Sequence, residues 1–308
     1  MATFVTVNEV GPRDGLQIHG KVLSVQERRQ MISALLDAGV RAVEAGSFVS
    51  PKAVPQMAGT GELFADLPMY DRVAYSALVP NMRGYELAKE AGVRSIAVVL
   101  SATETMNQRN INMSLEQTTK VCEEIVQRAK EDGIQARAYV AVAFECPFEG
   151  LTSASVVAGL VERMFKAGAH TVIIADTIGA ANPAAVSRLL ARFPEHCQAG
   201  RISCHFHDTR GMALANVVAA LEAGVREFDS SIGGLGGCPF SPGATGNLAT
   251  EDLVLMLNSM GYLTGMDPLD LVTAVQKVEA LTGSPLGGHS YRWLQRQMNK
   301  KKEENSHA

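Results

Sequence analysis

The sequence predicts an α/β protein, a (β/α)8 TIM barrel carrying a C-terminal helical extension. Three observations point there. Eight short apolar runs read as strands, helix-like segments lie between them, and a glycine recurs where helix gives way to strand. The chain has 308 residues, more than the roughly 250 of a minimal barrel, which leaves room for added helices.

The strand candidates, in order, are Phe4–Val10, Ala42–Gly46, Arg72–Leu78, Ser95–Leu100, Gln135–Ala143, Thr171–Asp176, Arg201–His207 and Glu227–Ser231. Ser24 and Glu27 have capping-box spacing, and Met31, Ile32, Leu35 and Leu36 follow on one helical face. Leu214, Val217, Val218 and Leu221 repeat that stripe. Gly39, Gly92, Gly133, Gly168 and Gly224 sit just past helix segments, where a left-handed residue turns the chain toward the next strand. The expected organisation is one catalytic domain over 1–308. The barrel would span about 3–248, helices about 249–300, and a polar tail 301–308.

Composition excludes several classes. The formal net charge is −4 and the basic run Lys300-Lys301-Lys302 stands beside a polar tail, so nucleic acid is not an expected partner. No stretch approaches the roughly 20 apolar residues that cross a membrane, and strand-like sequence begins too close to Met1 for a leader peptide. Five scattered cysteines, Cys122, Cys146, Cys197, Cys204 and Cys238, form no CxxC pair. A disulfide framework and a thiolate zinc site are both disfavoured, and a reducing cytoplasm is expected.

The chemistry gathers at strand ends. His205 and His207 are spaced i, i+2 and share a face if their run is a strand. In a barrel the active site lies at the carboxyl ends of the strands. There Asp14 follows strand one, Glu44 lies in strand two, Asp176 ends strand six, and Cys238 and Asn247 follow strand eight. Each has a plainer explanation. Asp14-Gly15 is a common turn pair, Asp176 suits a helix cap, and Glu44 suits a buried partner for Arg13. Their joint placement favours a metal enzyme. Two imidazoles, a carboxylate and an amide oxygen suit octahedral Mg2+ or Mn2+.

Several blocks resemble one family. Glu9-Val10-Gly11-Pro12-Arg13-Asp14-Gly15-Leu16-Gln17, Glu44-Ala45-Gly46-Ser47-Phe48-Val49-Ser50-Pro51-Lys52, His205-Phe206-His207-Asp208 and the Gly237-Cys238-Pro239 loop are similar to the 3-hydroxy-3-methylglutaryl-CoA lyases, DRE-TIM metallolyases. The resemblance runs from about residue 4 to about 280. It implies divalent-metal ligands at Asp14, His205, His207 and Asn247, and an enolate-stabilising arginine at Arg13 oriented by Glu44. It further implies an acidic group near substrate at Asp176 and a proton-donating thiol at Cys238. Asp14 and His205 are both candidates for the general base.

The implied reaction is metal-dependent cleavage of 3-hydroxy-3-methylglutaryl-CoA to acetyl-CoA and acetoacetate. Alternatives are a lyase for citramalyl-CoA or a longer 3-hydroxy-3-alkylglutaryl-CoA, and a Claisen-condensing synthase. Candidate CoA contacts are Lys52, Arg109, Asn110 and Asn112, and a homodimer is the family expectation. The loop departs from the usual family pattern at Ile232, Gly233 and Phe240, which bears on acyl-group specificity.

Overall fold

The computed structural model describes residues 3–68, 71–194, 197, 200–238 and 241–306, with backbone alone at 238, 241–245 and 305–306. Eight parallel strands close into a barrel. They are β1 (Thr6–Glu9), β2 (Ala42–Ser47), β3 (Ala74–Leu78), β4 (Ser95–Ser101), β5 (Gln135–Ala141), β6 (Thr171–Asp176), β7 (Ile202–Phe206) and β8 (Glu227–Ser230). Neighbours follow chain order, and β1 closes against β8 through the register Thr6–Glu227 to Glu9–Ser230. All eight expected strands are present, shifted at their ends by a few residues. β5 stops early because Val142 takes φ 49° and gives its N–H to Thr177 Oγ1 at 2.8 Å.

Period-two alternation splits each strand between two environments. In β4, Ile96, Val98 and Leu100 face the surrounding helices, whereas Ala97 and Val99 pack inside the barrel with Tyr139, Ile173, Ala175 and Leu78. The outer layer is the main hydrophobic core. Inside β3–β6 lies the apolar cluster, with Arg137 near the start of β5 pairing to Glu227 and Asp229, and the side made by β1, β7 and β8 is polar, where Asn8, His205 and Asp229 meet.

Helix signals act as expected. Ser24 and Glu27 complete a capping box on α1 (Val25–Asp37). Gly39, Gly92, Gly133, Gly168 and Gly224 all have positive φ, between 71° and 114°. One face is rotated from expectation: in the helix Ala213–Glu222, Val217 and Leu221 are buried, but Ala213, Asn216 and Ala220 join them while Leu214 and Val218 are half-buried. Small residues there allow close approach, a preference that a stripe of large apolar residues does not reveal. After the barrel come the helices Thr250–Ser259, Pro268–Thr282 and Tyr291–Ser306. Among the described residues no helix is long and apolar enough to cross a membrane.

Candidate active site

A π-helical turn, Gly11–Gly15, follows β1, with the Val10 carbonyl accepting from the N–H groups of Arg13, Asp14 and Gly15. Such turns concentrate at functional sites. This one directs Arg13 and Asp14 to the barrel mouth. Across the mouth, β7 presents His205, and His207 lies just past its end in a bridge with Asn247. The imidazole centroids are 5.1 Å apart. One ligand atom from each of Asp14, His205 and His207 falls within 4.8 Å of the others.

The residue that opens the β2 bulge matters next. Register slips between Glu44 and Gly46 against β3, and Glu44 is fully buried. Its Oε2 accepts from Arg13 Nε at 2.6 Å, and Arg13 Nη1 reaches Asp14 Oδ1 at 2.5 Å. Burial alone would weaken the guanidinium charge, but Glu44 and Asp14 hold it firmly cationic. The Arg13 guanidinium also lies 5.7 Å from the Tyr139 ring centroid.

A buried carboxylate organises the histidine. Asp229 Oδ2 accepts from Tyr139 Oη at 2.8 Å and pairs with His205 Nδ1 at 3.1 Å, while Asn8 Nδ2 donates to Oδ1 at 2.9 Å. That leaves His205 Nε2 facing Asp14 Oδ2 at 4.0 Å. Burial opposes a charge on His205, but Asp229 and Asp14 outweigh it and raise its pKa. His207 behaves oppositely: burial and the neighbouring His205 lower it to about 4, so it is neutral near pH 7 and free to donate a lone pair. Burial would raise Asp14, yet Arg13 and both histidines hold it well below the usual carboxylate range.

Unpaired atoms test whether a cation fits. His207 Nδ1, Asn247 Oδ1 and Glu44 Oε1 are buried without hydrogen-bond partners, and buried polar atoms normally find one. Asn247 Nδ2 donates to Asp14 Oδ2 at 2.9 Å and to Leu235 O at 3.3 Å. Exchanging the amide's oxygen and nitrogen would turn its unpaired acceptor toward Asp14, the orientation a cation would select. Two neutralisable imidazoles, an ionised carboxylate and an amide oxygen fit a divalent ion. Gly236 guards this arrangement. It has φ 128°, and a Cβ there would stand 2.7 Å from Asn247 Nδ2.

Other expected residues are not drawn into the cluster. Both Asp176 oxygens accept backbone N–H groups, from Ala180 at 2.8 Å and Ala181 at 3.0 Å, so this carboxylate shapes the loop after β6. Burial raises its pKa to about 6. Lys52, Asn110 and Asn112 are exposed, and their side chains make no hydrogen bond with other described residues. Arg109 stacks over Phe148 at 4.2 Å. Cys238 belongs to a hairpin of Gly237–Cys238 with Ser241–Thr245, and its side chain lies outside the described part of the structure.

Sequence reasoning missed five supports. Asp229, Tyr139 and Asn8 were unremarkable strand residues, although Asp229 sits at the inward parity of β8, the one signal available. Glu251 was missed entirely. Its oxygens accept from Gly233 N at 3.0 Å and Gly288 N at 2.6 Å. Glu9 likewise accepts from Ile232 N at 3.0 Å. Together they pin the root of the loop that carries Cys238. Burial raises each of the two carboxyls to a pKa of about 7.

This fold and site define a barrel enzyme that sets a fixed cationic donor beside a candidate divalent-cation centre. The chain belongs to the HMGL-like family, whose model matches residues 5–278. It is 45% identical over 283 residues to the hydroxymethylglutaryl-CoA lyase of Pseudomonas mevalonii, covering 92% of this chain and 93% of that one. It is 40% identical to the 3-hydroxy-3-isohexenylglutaryl-CoA/hydroxymethylglutaryl-CoA lyase of Pseudomonas aeruginosa, covering 94% and 97%. A solved HMG-CoA lyase from Acinetobacter baumannii, in complex with coenzyme A and 3-methylmalate, superposes with a TM-score of 0.88 at 39% identity, covering 94% of each chain.

Proposed function

We propose that this chain cleaves 3-hydroxy-3-methylglutaryl-CoA between C2 and C3, giving acetyl-CoA and acetoacetate. The observation that carries the reading is the contact of Arg13 with Asp14 at 2.5 Å, which joins an anion-stabilising donor to the candidate cation ligands. The family membership and the lyases it resembles support the same reaction. Asp14, His205, His207 and Asn247 would hold a divalent cation, Mg2+ or Mn2+ by the oxygen and imidazole donor set, which would supply Lewis-acid polarisation of the C3 hydroxyl.

The hydroxyl proton passes to the Asp14–His205 pair, whose facing atoms are 4.0 Å apart. The O–H electrons become the ketone C=O of acetoacetate, and the C2–C3 electrons move onto the thioester as an enolate. Arg13, held by Glu44, meets the charge on the thioester oxygen. A preorganised donor of this kind is typically worth about 10²–10³ in rate. We assign Cys238 the return of a proton to C2. An unperturbed thiol has a pKa of about 8.5 and is protonated at neutral pH.

The described cysteines other than Cys238 are free and buried, which suits a reducing cytoplasm. Protein supplied with Mg2+ or Mn2+ and the thioester should release acetyl-CoA and acetoacetate in equal amounts, measured by mass spectrometry. Release of free CoA that requires an added 2-oxoacid would instead mark a condensing synthase.

A further inference from the structure

The barrel interior is chemically divided, and the divide says where the substrate's hydrocarbon goes. The cation ligands, Arg13 and Asp229 occupy the β1, β7 and β8 side. Opposite them an apolar cluster forms a wall that can be traced strand by strand above Arg137 of β5. Leu78 is the register partner of Ala97, Val99 of Tyr139, Tyr139 of Ile173, and Ala175 of His205. The last pairing brings the wall directly against a cation ligand. Tyr139 makes a second join, with its ring edge-on to His205 at 6.1 Å between centroids.

Exposure within this wall is uneven. Ala97 and Ile173 are completely buried and Ala175 nearly so, whereas Leu78 and Val99 are half-buried. Leu78 and Val99 belong to the cluster inside the barrel and lie at or near the carboxyl ends of β3 and β4, the end that carries the site. Apolar surface left open beside convergent polar groups is the usual lining of a small-ligand site.

Resting on the reaction proposed above, we infer that Leu78 and Val99 select the alkyl group on C3 of the substrate. Carbon C3 bears a hydroxyl, a carboxymethyl arm, the thioester arm and one alkyl group. The three oxygen-bearing groups engage the polar side, and the alkyl group is left to the apolar wall. Ala97 and Ala175 are covered, so the part of the wall open to substrate is the larger Leu78 and Val99, and their bulk admits a methyl group and excludes a long chain. The Pseudomonas aeruginosa relative is named for both a methyl and an isohexenyl substrate, so the size of the C3 alkyl group is a variable among similar enzymes.

The test compares kcat/KM for 3-hydroxy-3-methylglutaryl-CoA with that for its C3-butyl and C3-isohexenyl analogues in the metal-loaded enzyme. Leu78→Ala and Val99→Ala should each raise the long-to-methyl ratio about 10-fold or more, since one methylene in an apolar pocket is worth 10–200-fold. Val99→Leu should lower activity on the methyl substrate mainly through KM. Unchanged ratios in folded Leu78→Ala and Val99→Ala, with wild type active on the methyl compound, overturn the wall while leaving the reaction standing. Wild type inactive on every thioester removes the reaction and this inference with it.

Discussion

Asp229 and His205 are joined by a 3.1 Å contact that ties an imidazole nitrogen to a completely enclosed carboxylate. With Nδ1 so engaged, only Nε2 is left for the mouth of the barrel. Hydrogen-bonded carboxylates behind metal-binding histidines typically contribute 10–100-fold in affinity or activity. Asp229→Asn should therefore weaken Mn2+ binding about 10–100-fold, read by calorimetric titration. Unaltered affinity in a folded variant would reduce Asp229 to a packing role.

Arg13→Gln should lower kcat about 10²–10³-fold while changing Mn2+ affinity far less. Breaking the pair also strands buried Glu44, at a cost of roughly 3–5 kcal/mol in stability. The double variant Arg13→Gln/Glu44→Gln should regain much of that stability without regaining rate. Equal losses of rate and metal affinity in the double variant would assign Arg13 to cation binding instead.

Cation binding should grow stronger as pH rises through the elevated pKa of His205. In the metal-free protein that imidazole keeps its proton above the ordinary pH for histidine, and a cation must displace it. Calorimetry in buffers of different ionisation enthalpy should show about one proton released per ion near neutrality. Proton-neutral binding at pH 6.5 would contradict the ligand role of His205.

Glu251 gives a stability signature. Burial lifts its folded pKa to about 7, above the ordinary 4.5 of a glutamate, so folding favours the protonated form. The contribution is complete below pH 4.5 and is lost as pH rises through 7. Urea unfolding of wild type and Glu251→Gln at pH 4.5 and pH 8 should show the variant gaining relative stability at the higher pH. The gain should be on the order of 3 kcal/mol. A pH-independent difference would mean that Glu251 is ionised throughout.

Much of the architecture was legible because parallel strands buried on both faces must be apolar, and because a glycine just past a helix leaves a local mark. Arg13, Asp14, His205 and His207 were legible because few structural roles explain those residue types at those spacings. Asp229 was not, since its importance arises only when β8 closes beside β7 and β1, a relation between distant segments. Asp176 carries a relation of a different kind: it ends β6 as read from the sequence, and its oxygens also accept two backbone N–H groups of the following loop, which local pattern does not reveal. Among the CoA candidates, Asn110 lies in the helix Glu104–Ile111 and Asn112 caps it, and an exposed side chain of this kind leaves no trace in local pattern.

The seam between β1 and β8 has a temporal meaning. A ribosome delivers Asp14 early and both imidazoles late, so a partly made polypeptide owns an arginine and a carboxylate but no place to grip an ion. Competence for chemistry thus begins only when the final stave of the barrel slots home, and an unfinished or truncated product is silent by construction.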